Sequence, residues 1–314
     1  MADAEVQRFI QKQKPRLIKK SGDRMILITG CGFLGSYIAE YAAAKTNEPI
    51  LATVRDLKNV KPIDGVEYIR CDITDENDLV SLKNKCGNEP LTVFYLSACH
   101  NIDFVYENPD YALSVNYDAL LNFLNTLPHI RKLFFASTDC VYGDGKEKFS
   151  EDSPLNPVNE YGRQKILAEN LVRERGFTVF RYPFMLGKSL TSKPHFYDNI
   201  RKNLENGKTT EMIDGMYRSV LSYRQAAKFT FELSLTENLP HTVNICSDWV
   251  LSKYDVGVIL AENSGKASDL IKKISEAEGE KFFKDKRASC TAMDNTLLKS
   301  LLNLKEIKWE EEKC

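Results

Sequence analysis

Short apolar runs alternate with stretches of helical apolar spacing along the chain up to about residue 185. A continuous run of about five apolar residues is typical of a parallel strand that is buried on both faces. Apolar positions three and four apart, such as Leu167, Ala168, Leu171 and Val172, indicate the buried face of a helix. The predicted strands are residues 25–29, 50–56, 66–73, 91–98, 131–137 and 177–183.

This alternation also predicts the fold class. Strands alternating with helices form a parallel sheet covered on both faces, whose ligand lies at the carboxyl ends of the strands. We therefore predict an α/β fold in which residues 25–185 form a Rossmann-like doubly wound parallel sheet. Residues 1–24 are expected to be an N-terminal extension, and residues 186–314 a smaller C-terminal lobe whose segments interleave with the first domain. Further elements are predicted as helices at 117–127, 256–261 and 296–302 and a strand at 243–245.

Length, apolar content and net charge argue against a disordered chain and against a protein that binds nucleic acid or an anionic membrane. With 314 residues and 43% apolar content, the chain can bury a full core, so disorder is not expected as its dominant state. A formal net charge of −1 gives no electrostatic basis for binding nucleic acid or an anionic membrane. The basic residues of the first twenty positions are interpreted as a solvated helix face or a frayed extension.

The cysteines point to a reducing compartment, and the histidines give no indication of a metal site. The eight Cys residues include no Cys-x-x-Cys, and several stand in apolar runs where they behave as small hydrophobic residues. The four His residues lack metal-ligand spacing, so no metal is expected. No apolar run has membrane-spanning length and no signal peptide is recognisable, which makes a cytoplasmic location the expectation.

A glycine-rich turn follows the first strand. Gly30-Cys31-Gly32-Phe33-Leu34-Gly35 stands between strand 25–29 and a stretch of helical spacing. The glycines permit a tight turn and close backbone approach to a pyrophosphate, which the free N–H groups of a helix N-terminus would bind. Nucleotide binding is the prediction, and a merely structural turn is the alternative.

The ends of the next strands bear on which nucleotide binds. Arg55 ends the second strand, where an arginine accommodates the 2′-phosphate of NADP and an acid reads the free ribose hydroxyl of NAD. NADP(H) is therefore favoured and NAD(H) is possible; alternatively, Arg55 pairs with Asp56 on a solvated loop. Asp72 and Ile73 are placed to flank the adenine, and the small residues Ser97 and Ala98 let the cofactor approach the fourth strand.

A tyrosine and a lysine form the candidate catalytic pair. Tyr161 and Lys165 are four residues apart in a predicted helix and therefore share one face. A free phenol has a pKa of roughly 10, so a neighbouring ammonium is needed to favour the phenolate near neutrality. Thr138, at the end of the fifth strand, could hold the substrate oxygen. The alternative is a surface Tyr–Lys pair.

Taken together, these motifs resemble the extended short-chain dehydrogenase/reductase family, over roughly residues 25 to 185. The residues that carry the resemblance are Thr29-Gly30-x-Gly32-Phe33-Leu34-Gly35, Asp72-Ile73, Ser137-Thr138-Asp139 and Tyr161-x-x-x-Lys165. Within the family, the segments Ser137 to Gly145, Pro154 to Lys165 and Ala98 to Asp103, with Asn116, are similar to the dTDP-4-dehydrorhamnose reductase branch.

The resemblance implies a nucleotide sugar as substrate. Thr138 would bind the reacting oxygen, Tyr161 would act as general acid or base, and Lys165 would hold the nicotinamide ribose and lower the tyrosine pKa. Asp139 is a candidate substrate-binding residue. Arg218 resembles the family arginine near the sugar-nucleotide diphosphate, with an exposed structural arginine as the alternative. The C-terminal lobe would bind the substrate, and a homodimer is expected.

Three departures from the family pattern guide the choice of reaction. The glycine loop is one residue shorter than the usual Gly-x-x-Gly-x-x-Gly of extended members. The segment around Arg55 looks like the dihydroflavonol-reductase relatives, which favour NADPH, more than the epimerases, which retain NAD. Cys140 stands where the sugar dehydratases have a Glu, so a dehydratase is disfavoured, and Cys140 is interpreted as a core filler because no His nearby in sequence could activate it.

The predicted activity is therefore reduction of a keto-sugar nucleotide by hydride transfer from NADPH, with Tyr161 as proton donor. Two alternatives remain open. One is a nucleotide-sugar epimerase that retains NAD. The other is an NADP-binding regulatory subunit without turnover, as in the beta subunit of methionine adenosyltransferase.

Overall fold

The computed structural model describes residues 24–311. The predicted N-terminal extension, residues 1–24, lies outside the described residues except for Arg24. The strands are β1 Met25–Thr29, β2 Ile50–Val54, β3 Val66–Arg70, β4 Leu91–Tyr95, β5 Ile130–Thr138, β6 Thr178–Tyr182, β7 Phe184–Leu186, β8 Thr210–Ile213, β9 Arg218–Ser222, β10 Thr242–Asn244, β11 Val250–Leu251 and β12 Ile271–Ile274. The α-helices are α1 Phe33–Lys45, α2 Glu76–Cys86, α3 Ile102–Glu107, α4 Pro109–Leu113, α5 Ala119–Thr126, α6 Glu160–Glu174, α7 Phe196–Glu205, α8 Tyr223–Ser234, α9 Lys253–Asn263, α10 Glu276–Gly279 and α11 Thr296–Leu302.

A parallel sheet forms the centre of the molecule. Within residues 24–311 it has seven strands in the order β10-β6-β5-β4-β1-β2-β3, and every neighbouring pair is parallel. The order reverses between β1 and β4, which is the position where open α/β sheets bind ligands. The predicted α/β class and its doubly wound parallel sheet are therefore confirmed.

Helices cover both faces of this sheet because its central strands are apolar on both sides. One face packs against α1, α8 and α11, with Tyr37, Phe229 and Leu298 in that core. The other face packs against α2, α5 and α6, with Phe123 and Ala168 in the second core. Two separate cores on one sheet explain why the strands read as continuous apolar runs.

Several predicted strands end earlier than their apolar pattern indicates. Residues 55–56, 71–73 and 96–98 follow β2, β3 and β4 as loops. The helix predicted at 117–127 starts as a π-helical turn, Ser114–Asp118, before α5. Residues after the strand tips point toward the carboxyl edge of the sheet, so these shortened ends place the candidate cofactor residues in its crevice.

The second lobe is smaller and has its own sheets. Strand β9 pairs with β7 in parallel and with β11 antiparallel, while β8 and β12 form a separate parallel pair. A third core, which includes Tyr197, Ile200 and Val256, lies between these strands and helices α7 and α9. Strand β10 and helix α8 come from the second half of the chain but pack in the central domain.

Some of the sequence predictions concern membrane spans, metal sites, location in the cell and oligomeric state. No helix among residues 24–311 is long and apolar enough to cross a membrane. In the same residues, no group of three or more His, Cys, Asp or Glu side chains is arranged around a metal-sized site. The cytoplasmic location and the homodimer stay predictions.

A buried ion pair joins the strands and the helix that lead to the candidate site. Arg181 on β6 donates to both carboxylate oxygens of Glu169 on α6, at 3.0 and 2.7 Å. The hydroxyl of Ser137 on β5 donates to the same carboxylate at 2.5 Å. The other side of the Arg181 guanidinium donates to the Tyr142 hydroxyl at 2.8 Å and to the Glu151 carbonyl at 3.1 Å. Burial raises the pKa of Glu169, but its bonds with Arg181 and the other donors lower it further, so the carboxylate stays ionised.

This pair generates a stability prediction. In Arg181→Met the Glu169 charge stays buried without its main partner, so the free energy of unfolding should fall by about 3–5 kcal/mol. The matched control is Arg163→Met on the same helix, whose ion pair with Glu160 is 53% exposed on the arginine side. That control should lose no more than about 1 kcal/mol. Urea unfolding of both variants measures the difference, and equally small losses would show that the buried pair does not hold the fold.

Candidate functional site

The three glycines of the motif at the junction of β1 and α1 have different structural environments. Gly30 has φ of +66°, and a Cβ there would lie 2.7 Å from the Ser97 backbone, so only glycine fits. A Cβ at Gly35 would lie 3.3 Å from the Gly30 carbonyl oxygen, which reflects close packing of helix on strand. A Cβ at Gly32 would find its nearest atom 3.8 Å away, and Gly32 is exposed. The fold therefore requires Gly30, whereas Gly32 faces open space.

The next helix begins immediately after that open position. Gly32 is the N-cap of α1 and offers no side-chain hydrogen bond to the first turn, where Phe33 and Leu34 stand. The loop itself is held against β2, since Thr53 accepts hydrogen bonds from the Gly30 and Cys31 amides at 3.2 and 2.8 Å. A rigid turn with free N–H groups at its open side is suited to an anion.

Arg55, Asp72, Ile73 and Ala98 lie at the same edge of the sheet, after β2, β3 and β4. Arg55 is exposed and has no ion-pair partner in the described part of the chain. Asp56 instead accepts hydrogen bonds from the Lys58 amide and the Asn59 side chain.

Asp72 is held as a carboxylate at this edge. It accepts from the amide and the hydroxyl of Thr74 at 3.0 and 2.7 Å. Burial raises the pKa of Asp72, but these hydrogen bonds, together with the charges of Arg55 and Arg70, bring it below its usual value. Asp72 is therefore ionised at neutral pH.

Tyr161 is almost fully enclosed. The side chain is 8% exposed and packs against Val105, Ala112, Cys99 and Cys140. Burial and the neighbouring acidic groups, Cys140 first, raise the pKa of the phenol above its ordinary value. The phenol is therefore protonated at neutral pH.

Lys165 follows Tyr161 by one helical turn and is 1% exposed. Its ammonium donates to the Ala136 carbonyl at 2.6 Å and lies 3.8 Å from the centre of the Phe135 ring. Burial lowers the pKa of Lys165 to about 7, against the opposing charge of Glu169. The structure thus differs from the expectation that Lys165 depresses the tyrosine pKa, because burial dominates the titration of both groups.

Thr138 is the last residue of β5, and Asp139 follows it. The Thr138 hydroxyl donates to Asp139 at 3.0 Å and accepts from the Cys140 amide at 3.2 Å. Asp139 also accepts a hydrogen bond from Thr291 and lies 3.7 Å from the Arg218 guanidinium. The two predicted substrate-binding residues, Asp139 and Arg218, therefore contact each other.

A cavity of about 280 Å³ opens between the central domain and the second lobe. The Arg218 side chain lines it and is 18% exposed. Its guanidinium also donates to the carbonyls of Tyr217 and Ala288 at 2.7 and 2.6 Å, so a structural role for this arginine stays an alternative. The polar and charged side chains on its wall include Asp139, Asn159, Arg218, Lys253, Arg287 and Thr291.

A segment of the second lobe closes one side of this cavity, and we call residues 283–288 the strap. Asp103 on α3 accepts from the amides of Lys284 and Asp285 at 2.9 and 3.2 Å and from the Arg287 guanidinium at 2.9 Å. Asp285 in turn accepts a hydrogen bond from the Glu160 amide at 3.1 Å, at the N-terminus of the helix that carries Tyr161 and Lys165. The strap thus joins a cavity arginine to the helix that positions Tyr161.

A second connection reaches this helix from the loop after β4. Asn116 accepts from the Cys99 amide at 2.8 Å, and its side-chain amide donates to the Cys99 carbonyl at 3.1 Å and to Gln164 at 3.0 Å. Sequence reasoning connects Asn116 to the site only through the family resemblance and does not single out Gln164. Arg287, Asp285 and Lys253 were also missed, since no local motif distinguishes them from other charged residues.

Comparisons with known proteins identify the family. The model of the NAD dependent epimerase/dehydratase family matches residues 26–228. A putative UDP-glucose 4-epimerase of Methanocaldococcus jannaschii is 27% identical over 200 residues, which is 57% of this chain and 64% of that protein.

Two solved structures share the fold. MoeE5 in complex with UDP-glucuronic acid and NAD has a TM-score of 0.75 at 22% identity, covering 91% of this chain and 94% of that one. The dTDP-4-dehydrorhamnose reductase of Bacillus anthracis str. Ames in complex with NADP has a TM-score of 0.72 at 16% identity, covering 91% and 95%. With its doubly wound sheet, its glycine turn and a family match over most of its length, this chain belongs to the NAD dependent epimerase/dehydratase family, among the extended short-chain dehydrogenases/reductases.

Proposed function

We propose that the protein reduces a keto-sugar nucleotide, with NADPH as the cofactor and Tyr161 as the proton donor. The observation that carries the proposal is the position of Tyr161 and Lys165. Both are buried on one face of α6, against the end of β5, where Thr138 stands beside a cavity with cationic side chains.

The residues of the glycine loop fit a dinucleotide. Gly32 leaves open space where the backbone would approach a pyrophosphate, and the Phe33 and Leu34 amides at the start of α1 would donate to it. Asp72 and Ile73 would contact the adenine. Arg55 has no carboxylate partner within residues 24–311 and would bind the 2′-phosphate, which supports NADP.

The cavity fits the diphosphate of a nucleotide sugar. Arg218 and Arg287 approach it from β9 and from the strap, and guanidinium groups bind phosphate oxygens through paired hydrogen bonds. Both arginines already contact carboxylates, Asp139 and Asp103, which orient them. The matched relative is named a UDP-glucose 4-epimerase, and MoeE5 is described with UDP-glucuronic acid, which supports this substrate class.

The electrostatic surroundings of Tyr161 and Lys165 are suited to proton donation by Tyr161. Because burial keeps the pKa of Tyr161 high, the phenol holds the proton that a reduced carbonyl oxygen needs. The Thr138 hydroxyl would orient that oxygen, and the bound nicotinamide supplies the hydride. With a pKa of about 7, Lys165 can return a proton to the resulting Tyr161 phenolate.

One other reaction has support from the comparisons. The relative named as an epimerase and the neighbour solved with NAD favour an enzyme that retains its cofactor. An epimerase should purify with bound NAD(H) and interconvert two nucleotide sugars without net use of NADPH. A reductase should consume one NADPH for each keto-sugar nucleotide reduced, so mass spectrometry of the bound nucleotide and absorbance at the nicotinamide band separate the two.

The glycine loop generates the first prediction. Gly32→Ala adds a methyl group to space that the fold leaves open, so thermal stability should change little while NADPH affinity falls at least about tenfold. Gly30→Ala is the contrast, because its methyl group collides with Ser97 and should lower the melting temperature. Melting curves and NADPH titration measure both effects. Normal NADPH binding by Gly32→Ala would show that the loop is only a structural turn.

Cofactor choice generates the second prediction. Charge-assisted hydrogen bonds contribute roughly 1.5–3 kcal/mol, so NADPH should bind at least about tenfold more tightly than NADH. Arg55→Ala should remove most of that preference and leave NADH binding unchanged. Lys61→Ala, an exposed cation a few residues further on, should keep the preference. Equal affinities for the two nucleotides in the unmodified protein would argue against this role for Arg55.

The catalytic assignment generates the third prediction. Tyr161→Phe removes one oxygen and keeps the ring packing, so NADPH affinity should persist while turnover of a keto-sugar nucleotide falls about 10²–10⁴-fold. Tyr95→Phe is the matched control, because the Tyr95 hydroxyl is buried and has no hydrogen-bond partner within residues 24–311. Steady-state kinetics and fluorescence titration give the two readouts. Full activity in Tyr161→Phe would show that the Tyr161 hydroxyl takes no part in the reaction.

A further inference from the structure

Lys253 lines the same cavity as Arg218 and Arg287 but differs from them in its partners. Arg218 lies 3.7 Å from Asp139, and Arg287 lies 2.9 Å from Asp103. The Lys253 ammonium has no hydrogen bond or ion pair with any residue that the structure describes. Of these three cations, Lys253 is therefore the one whose charge is not balanced by a contacting carboxylate.

The local structure explains why Asp255, an acid on the same helix as Lys253, does not pair with the Lys253 ammonium. Lys253 is the first residue of α9, and Ser252 caps the helix by accepting the Asp255 amide at 3.1 Å. Asp255 returns the contact, accepting from the amide and the hydroxyl of Ser252 at 2.9 Å each. This capping box uses the Asp255 carboxylate and leaves Lys253 to extend into the cavity.

Two aromatic rings and two cations surround the ammonium. It lies 5.6 Å from the centre of the Phe196 ring and 5.8 Å from that of Phe283. Burial, followed by the charges of Arg218 and Arg287, lowers the pKa of Lys253, and Asp103 opposes this shift. A cation in these surroundings is stabilised by an anion that enters the cavity.

We propose that the Lys253 ammonium binds the substrate diphosphate together with Arg218 and Arg287, and that it makes this cavity select nucleoside diphosphates over monophosphates. The proposal rests on the proposed function, since it concerns the same substrate site. Three cations reach the cavity from three separate elements, namely β9, α9 and the strap. Two linked phosphates offer more charge and more acceptor oxygens to these cations than a single phosphate does.

The decisive variants are Lys253→Met, which keeps the length and apolar packing of the side chain, and Lys253→Arg, which keeps its charge. Lys272→Met is the matched control, an exposed lysine on β12 of the same lobe. Calorimetric titrations would use UDP, UMP, uridine and inorganic pyrophosphate, with NADPH titrated separately. A lost charge-assisted hydrogen bond corresponds to roughly a tenfold to hundredfold change in affinity.

We expect Lys253→Met to bind UDP and pyrophosphate at least about tenfold more weakly, with a much smaller change for UMP and none for uridine or NADPH. Lys253→Arg should recover most of the loss, and Lys272→Met should match the unmodified protein. Unchanged UDP and pyrophosphate affinities in Lys253→Met, or an equal loss for uridine, would overturn the proposal, as would an unmodified protein that binds neither anion.

The same experiment separates this proposal from the proposed function. If UDP binding depends on Lys253 but no keto-sugar nucleotide is reduced, the anion role of Lys253 stands and the reaction is wrong. If turnover is observed and Lys253→Met leaves the KM for the nucleotide sugar unchanged, the reaction stands and the role of Lys253 is overturned.

Discussion

The buried pair of Arg181 and Glu169 is the interaction on which the geometry of the candidate site depends. Both side chains are almost fully buried, so each hydrogen bond of the pair has to be made within the protein. Through Ser137 and Glu169 the pair connects the end of β5 to α6, and through Arg181 it connects both to β6. The catalytic candidates stand on these same elements, and their relative positions follow from this network.

The second lobe is attached to α3 and α6 through hydrogen bonds and an ion pair of Asp103 and Asp285. Asp103 bonds to two strap amides and to Arg287, while Asp285 accepts the first amide of α6. A residue proposed to hold the substrate diphosphate is therefore two positions away from one that caps the helix of Tyr161. Movement of the strap would affect both groups, which couples the position of the proposed diphosphate site to the position of Tyr161.

Burial, more than mutual charge, sets the chemistry of Tyr161 and Lys165. The phenol is pushed toward its neutral form, and the pKa of the ammonium falls to about 7. Both effects arise because ionised groups lose solvation in an enclosed site. The helical spacing of the two residues identified the pair, but the spacing alone pointed to a lowered tyrosine pKa, and the packing around Cys99 and Cys140 reversed that direction.

The sequence by itself determined the features that depend on neighbouring residues. Apolar runs predicted the strands from β1 to β6, the glycine spacing marked the turn before α1, and the four-residue spacing placed Tyr161 and Lys165 on one helix face. These signals are local, because strand burial, a left-handed turn and helical periodicity are each written in a few consecutive positions. Only the tertiary structure decided that β10 joins the central sheet, that Asp139 meets Arg218, and that the strap and Lys253 complete the cavity. Those contacts join segments far apart in the chain, and their partners are selected by the packing of whole elements, which no short stretch of sequence records.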